Sequence, residues 1–301
     1  MLNKIFTPLK GLVRRLSAFY SLNKINFEIK FLHEGNITIR LPRSSWFDVL
    51  SGKGNTHNRN ISYSSRPNAE ALLRRLIYEL YSSGYISADK SIIDIGSWIA
   101  DNSIVWSKQL NQEALVFAID PSPENQFYAQ KVARLNNVSN ITFIEAVCTD
   151  NDGDRVDFDG DLDHASFQKK LTDGKMLSTT LDTIVKNSGG QVIGLLHVDV
   201  EGLEFSVIKG ASNIIKSDMP VIVFEQHISK ENIFQVTDFL KEFEYRVFMV
   251  NEVLPGCSLD CRNFMAFPSN KILPQISEFD QKNASAMGIY SAVVGKSLIE
   301  I

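Results

Sequence analysis

Long apolar runs are missing from this chain. No stretch approaches the roughly 20 consecutive apolar residues that a helix needs to cross a bilayer. The opening segment also lacks a signal-type apolar core, because Lys4, Lys10, Arg14 and Arg15 interrupt it. A cytoplasmic location is the expectation. Cysteine is scarce: Cys148, Cys257 and Cys261 are the three among 301 residues. That number builds no disulfide framework and fits a reducing compartment. Cys257 and Cys261 stand in CSLDC, but a structural zinc site usually takes four ligands, so this single pair is expected to be two incidental thiols near a turn. A basic excess is absent too. The formal net charge of -4 argues against the positive footprint of non-specific nucleic-acid binding. There is no internal repeat and no low-complexity tract.

What is present suits a globular protein. Hydrophobic residues make up 44% and charged residues 22%, enough to bury a full core in one large domain with an extension. Residues 1–66 form the extension and 67–301 the main domain. In residues 1–20, Leu2, Ile5, Phe6, Leu9, Leu12, Val13, Leu16 and Phe19 recur at helical spacing with a basic opposite face. Such a helix makes peripheral contact with an anionic membrane surface, or packs on the domain or on a second subunit of a homodimer. Pro8 and Gly11 favour packing. The run INFEIKFLHEGNITIRLP alternates as a hairpin around His33–Asn36. Residues 44–66 read as a long, lid-like loop.

A helix is predicted from about Asn68 to Tyr81. From Ser91 the pattern becomes strand, helix, strand, helix: SIIDI, a helix to Leu110, ALVFAID, a helix from Glu124 to Leu135, then NITFIEAVC as one strand. This alternation implies βαβ units and a largely parallel sheet. Residues 150–175 are acidic and read as an irregular, solvated insertion without the calcium-loop pattern. The sheet resumes at VIGLLHVDV, with one helix from Glu204 to Ile215. MPVIVFEQH, a helix from Glu231 to Phe243, and an antiparallel pair from YRVFMV and NFMAFP close it.

Ligands of open parallel sheets bind beyond the carboxyl ends of the strands. The first such end is Asp94-Ile95-Gly96-Ser97-Trp98-Ile99-Ala100. It has one glycine where a pyrophosphate-binding loop wants three, which argues against a nicotinamide enzyme. The second end carries Asp120 and Ser122, and an acid there can accept hydrogen bonds from ribose hydroxyls. The third carries Glu145 and Ala146. The strongest local signal is HVDVEGLEFSVIKGA. Asp199 and Glu201 are two apart and share a face, Gly202 permits a turn, and Gly210 is expected to close on neighbouring backbone. Glu204 is read as a possible cap. Glu225 and His227, also two apart, end the next strand.

These pieces resemble one family. IDIGSWIADNS, FAIDPSPEN, STTLDTIV, LLHVDVEGLEFSVIKGA and PVIVFEQH, over residues 68–268, look like FkbM methyltransferases. The resemblance implies a Rossmann-like α/β class I methyltransferase sheet of seven strands, the last antiparallel. It also implies S-adenosylmethionine as cofactor and O-methylation of a small-molecule, natural-product or glycan acceptor. By motif match Asp94, Gly96, Ser97 and Trp98 border the methionine part, Asp120 and Ser122 the ribose, Glu145 and Ala146 the adenine, with Asp199 beside the cofactor. The family commonly has Asn where Trp98 stands, a second Gly where Ala100 stands, and Lys where His197 stands.

A hydroxyl acceptor must lose a proton, and Glu201 or His227 is the expected general base, with Asp199 and Glu225 beside them. A Mg²⁺ ion on Asp199, Glu201 and Glu225 is conceivable on chemical grounds, but metal dependence is not expected. Two rivals stand: a nicotinamide oxidoreductase, and a non-catalytic scaffold or binding module on the same fold, to which Trp98 and Ala100 point.

Overall fold

The computed structural model describes residues 25–31, 37–42, 70–161, 164–168, 176–200, 202–228, 233–252, 261–273 and 296–301. The basic N-terminal segment, the 44–66 loop, Glu201 and Cys257 lie outside the described residues.

Strands β1 (Ile25–Phe31) and β2 (Ile37–Pro42) pair antiparallel, as their alternation predicts. Helix α1 (Ala71–Ser82) then lays Leu72, Leu73, Leu76, Ile77 and Leu80 into the core. Its first turn is capped from far away in sequence, because the Glu252 carboxylate accepts the N–H groups of Leu72 and Leu73 at 2.9 and 3.2 Å. These are donors that a helix start leaves without an intrahelical partner.

The doubly wound part follows: β3 (Ser91–Ile95), α2 (Asp101–Ser107), β4 (Val116–Ile119), α3 (Pro123–Leu135) and β5 (Ile141–Ile144). After two further short strands and a hairpin come α4 (Leu181–Asn187), β10 (Ile193–Val198), α5 (Glu204–Lys209), α6 (Ser212–Asp218), β11 (Val221–His227), α7 (Ile233–Glu242), β12 (Tyr245–Val250), β13 (Cys261–Pro268) and β14 (Leu298–Glu300). The main sheet runs β14-β12-β13-β11-β10-β3-β4-β5. β3, β4, β5, β10 and β11 are parallel, and β13 enters antiparallel between β11 and β12. This is the seven-strand class I methyltransferase sheet, extended by β14 at its edge, where Arg246 forks onto Glu300 at 2.8 and 2.9 Å. Helices α1, α2 and α3 cover one face and α4 to α7 the other, and each face has its own apolar core.

Three expectations are corrected. NITFIEAVC is not one strand. The chain leaves the main sheet after Ile144, and β6 (Val147–Cys148) joins a second sheet ordered β6-β9-β7-β8. Residues 150–175 are not irregular throughout. β7 (Arg155–Asp161) and β8 (His164–Gln168) form an antiparallel hairpin, and β9 (Met176–Thr179) pairs with β7 and β6. Asp152, ahead of this hairpin, serves the start of α4. Asp152 accepts from Thr180 N, Thr179 Oγ1 and Thr183 Oγ1, and these bonds hold its carboxyl below the usual range.

The helix predicted over 204–215 is two helices. Asp182 explains the break, because its carboxylate accepts Asn213 N and Ile214 N at 3.0 Å and so starts α6 afresh. Gly210 closes on backbone as expected: a Cβ there would lie 2.2 Å from the Thr149 carbonyl oxygen.

Candidate active site

The carboxyl ends of β3, β4 and β10 are bound to each other. Gly96 N and Ser97 N both donate to Ile119 O, at 2.9 and 3.1 Å, and Asp199 N donates to Ile95 O at 3.0 Å. Gly96 has φ +79°, and a Cβ on it would fall 1.6 Å from the Asp199 carbonyl oxygen. The glycine is therefore required by the close approach of β3 and β10. It lets the two strand ends meet rather than opening space for a ligand.

The turn after Gly96 keeps its shape in spite of its residues. Trp98 and Ala100 both sit at positive φ, +47° and +60°. For side-chain-bearing residues that region costs roughly 1–2 kcal/mol each, and it is where Asn and Gly are at ease. Ala100 pins the turn by donating to Ser97 O at 2.6 Å and accepting from Ile104 N at 2.9 Å. Asp120 holds it from the next strand, accepting Trp98 N at 3.1 Å, Ser122 N at 2.8 Å and Asn125 Nδ2 at 3.0 Å. Burial pushes the Asp120 carboxyl up to about 6, against the lowering effect of those three bonds.

A carboxylate offers about four lone-pair sites, so Asp120 has room for about one more donor. That is room for a single ribose hydroxyl. Ser97 is the clearest point of attachment for a ligand: its hydroxyl is buried and has no hydrogen-bond partner among the described residues. Such a group calls for a ligand or water. Ser122 caps α3 by accepting Asn125 N at 3.2 Å, which accounts for it without a cofactor. Glu145 is exposed and Ala146 half-buried where the chain leaves β5.

Asp94 does not face the turn. It is buried, with Oδ2 accepting the Ser103 hydroxyl and Oδ1 lying 2.8 Å from His197 Nδ1. Burial alone lowers the His197 pKa. The bond to Asp94 and the charges of Asp94, Glu70 and Asp199 outweigh it, and the net shift is upward. The imidazole ring packs edge-on to Trp106, centroids 5.0 Å apart. The upward shift favours a protonated His197 against Asp94, where the family usually has lysine.

Glu204 caps the Gly202 turn. Its buried carboxylate accepts Val200 N at 3.1 Å and Gly202 N at 3.0 and 3.1 Å. Asp199, Glu225 and His227 are each half-buried at the same edge of the sheet. Val221 and Val223 belong to the core under α1, so strand alternation brings Glu225 and His227 to that face. β11 lies two strands from β3, about 10 Å at normal strand spacing.

Of the Asp199, Glu201 and Glu225 trio considered for Mg²⁺, Glu201 lies outside the described residues. Among the described residues, Glu225 clusters instead with His227 and Cys261. Sequence reasoning also missed Glu70, Asn102 and Asn263. Glu70 accepts Asn102 Nδ2 at 3.2 Å and Asn263 Nδ2 at 3.3 Å, tying α2 to β13 behind the site. No spacing rule links these three residues, because only the sheet order makes them neighbours.

Comparison with known proteins follows this geometry. The family model described as "Methyltransferase FkbM domain" matches residues 94–247, just over half of the chain. No curated protein matches. Among solved structures, a methyltransferase FkbM from Methylobacillus flagellatus KT is 16% identical, with TM-score 0.44, covering 73% of this chain and 59% of that one. A precorrin-6y C5,15-methyltransferase from Geobacter metallireducens GS-15 is 14% identical, with TM-score 0.43, covering 65% and 89%. A ribosomal protein L11 methylase from Lactobacillus delbrueckii subsp. bulgaricus is 12% identical, with TM-score 0.37, covering 65% and 78%.

Proposed function

Since the chain belongs to the FkbM family of S-adenosylmethionine-dependent methyltransferases, we propose that it transfers the methyl group to a hydroxyl oxygen of a sugar, glycan or natural-product acceptor. One observation carries the choice of oxygen. Proton-accepting side chains, Asp199, Glu225 and His227, stand half-buried at the strand ends beside the turn of Gly96 and Ser97. A hydroxyl must shed its proton as the new bond forms, and groups of this kind can take it.

The residues fit the cofactor. Ser97 has an unused buried hydroxyl, and Asp120 has a remaining acceptor site; these two would hold it, with Glu145 and Ala146 bordering the adenine. When bound, S-adenosylmethionine supplies a methyl group on a positively charged sulfur. The chain's own part is to orient the acceptor and remove its proton. β10 and β11 put Asp199, Glu225 and His227 on rigid strand ends, and positioning of that kind accounts for much of the rate of a two-substrate displacement. The buried Cys148 thiol, which is in no disulfide, suits a reducing, cytoplasmic setting for this activity.

The scaffold reading draws on Trp98 and Ala100. Its support weakens because both residues adopt the positive φ that a glycine-bearing turn would have. The test is methyl transfer to a panel of sugars, glycolipids and polyketides, read by mass spectrometry. Products carrying one added methyl on oxygen are expected, and loss of turnover in a folded Asp199→Asn protein. Turnover confined to amine or carbon acceptors would refute the oxygen assignment. Absence of cofactor binding would favour the scaffold.

A further inference from the structure

A buried thiol, an imidazole and a carboxylate meet at the acceptor edge. One ligand-capable atom each from Glu225, His227 and Cys261 lie within 4.8 Å of one another. Two features of the sheet produce this. Glu225 and His227 are two apart on β11 and share a face. β13 runs antiparallel to β11 with His227 directly opposite Cys261 and Glu225 opposite Asn263. Side chains directly opposite on an antiparallel pair have Cβ atoms about 4.5–5.5 Å apart. The convergence is thus a property of the backbone ladder, and donors on paired strands are held more rigidly than donors on loops.

We propose that Glu225, His227 and Cys261 form a zinc site with one open coordination position facing the acceptor. The donor set selects the metal. Mg²⁺ and Ca²⁺ take oxygen ligands, whereas sulfur and imidazole nitrogen together suit zinc. Among the described residues the cluster has three donors, the usual number for a zinc ion that keeps a place for water or substrate. Burial is graded in the same sense: Cys261 is fully buried, while Glu225 and His227 are half-buried. The sulfur lies at the floor of the site and the other two donors at its mouth.

Asn263, buried on the same face and opposite Glu225, has an Oδ1 without a partner among the described residues, while its Nδ2 donates to Glu70. That oxygen can accept a hydrogen bond from a water or hydroxyl in the site, the kind of outer contact that orients metal-bound groups.

The consequence for catalysis rests on the methyltransferase reading. Zinc lowers the pKa of a hydroxyl at its open position, so the acceptor would lose its proton near neutral pH. His227 is then a ligand rather than the base, and among the described residues Asp199 is the carboxylate left at this edge to receive the proton. The acceptor oxygen gains the methyl, and the sulfur of the donor keeps the electron pair of the broken bond.

The test uses the full chain and the metal alone. Protein stripped with chelator is loaded with Zn²⁺, dialysed and analysed for metal. Cobalt replaces zinc in a parallel sample, and the thiolate-to-cobalt charge-transfer band is recorded. About one bound zinc per chain and a clear band are expected. Both should be lost in Cys261→Ser, and zinc affinity should fall about 100-fold in Glu225→Gln, which tests the site even where the buried serine variant fails to fold. Folded wild-type protein that retains no zinc overturns the proposal. So does zinc held equally well by Cys261→Ser and Glu225→Gln. S-adenosylmethionine binding is titrated on the same samples. Zinc without cofactor binding would refute the methyltransferase reading alone, and cofactor binding without zinc would refute the metal site alone.

Discussion

Replacing His197 by leucine isolates the buried pair beneath the donor turn. His197 Nδ1 lies 2.8 Å from Asp94 Oδ1, with the two side chains 3% and 2% exposed. Leucine removes the cation and leaves the carboxylate in place with Ser103. Breaking a buried pair from one side costs about 3–5 kcal/mol, a large share of the roughly 5–15 kcal/mol that holds a domain together. The pH dependence follows from the direction of the shift. The folded His197 pKa is above its ordinary 6.5. Its contribution is therefore complete below 6.5 and is lost as pH rises through the folded value, at about 1.4 kcal/mol for each pH unit separating the two titrations.

Urea unfolding followed by tryptophan fluorescence at about pH 6 and about pH 9 measures both effects; the two conditions bracket the reference histidine titration. The wild type should be less stable at the higher pH by this contribution, and His197→Leu should lack that component. His197→Lys should recover much of the stability and hold it at about pH 9, because the lysine reference lies near 10.4. A His197→Leu protein that loses less than about 1 kcal/mol, or that keeps the wild-type pH profile, would refute the buried-cation account.

Other expectations can be checked in the same way. Gly96→Ala should cost at least about 3 kcal/mol and abolish cofactor binding, because the new methyl meets the Asp199 carbonyl at a positive φ; a folded, cofactor-binding variant would show that β3 and β10 can part freely. Glu204→Ala should destabilise by roughly 1.5–3 kcal/mol, since Val200 N and Gly202 N lose a charged acceptor; chemical denaturation gives the figure, and a change near zero would remove the capping role. Affinity for S-adenosylmethionine should fall as pH drops through about 6, where Asp120 takes up a proton. The decline should be about tenfold between pH 7 and pH 5 by calorimetry, and Asp120→Asn should bind weakly at both.

Much of the sheet is legible because its signals are local. SIIDI, VFAI and IGLLHV are short apolar runs that read as buried parallel strands, and the helix read from Glu124 to Leu135 is kept as Pro123–Leu135. The errors arise where a partner distant in sequence decides. Asp182 restarts the helix at Ser212, and the pairing of β6 with β9 draws Val147–Cys148 out of the third strand. β7 carries Asp157, Asp159, Gly160 and Asp161, so its hairpin with β8 is masked by residues that favour turns.

At the site, positions at strand ends are readable but side-chain directions are not. Asp94 lies on the expected strand end, yet it turns inward to His197. Cys261 reads as an incidental thiol until the β11–β13 register sets it opposite His227. The positive φ of Trp98 and Ala100 shows that the turn's shape survives loss of the residues best suited to it.

Isothermal titration of the purified chain with S-adenosylmethionine, with NAD as the control ligand, tests the central claim most directly. The account predicts saturable S-adenosylmethionine binding, lost or strongly weakened in Asp120→Asn, and no binding of NAD. Folded protein that ignores S-adenosylmethionine, or that binds it equally well without the Asp120 carboxylate, would contradict it.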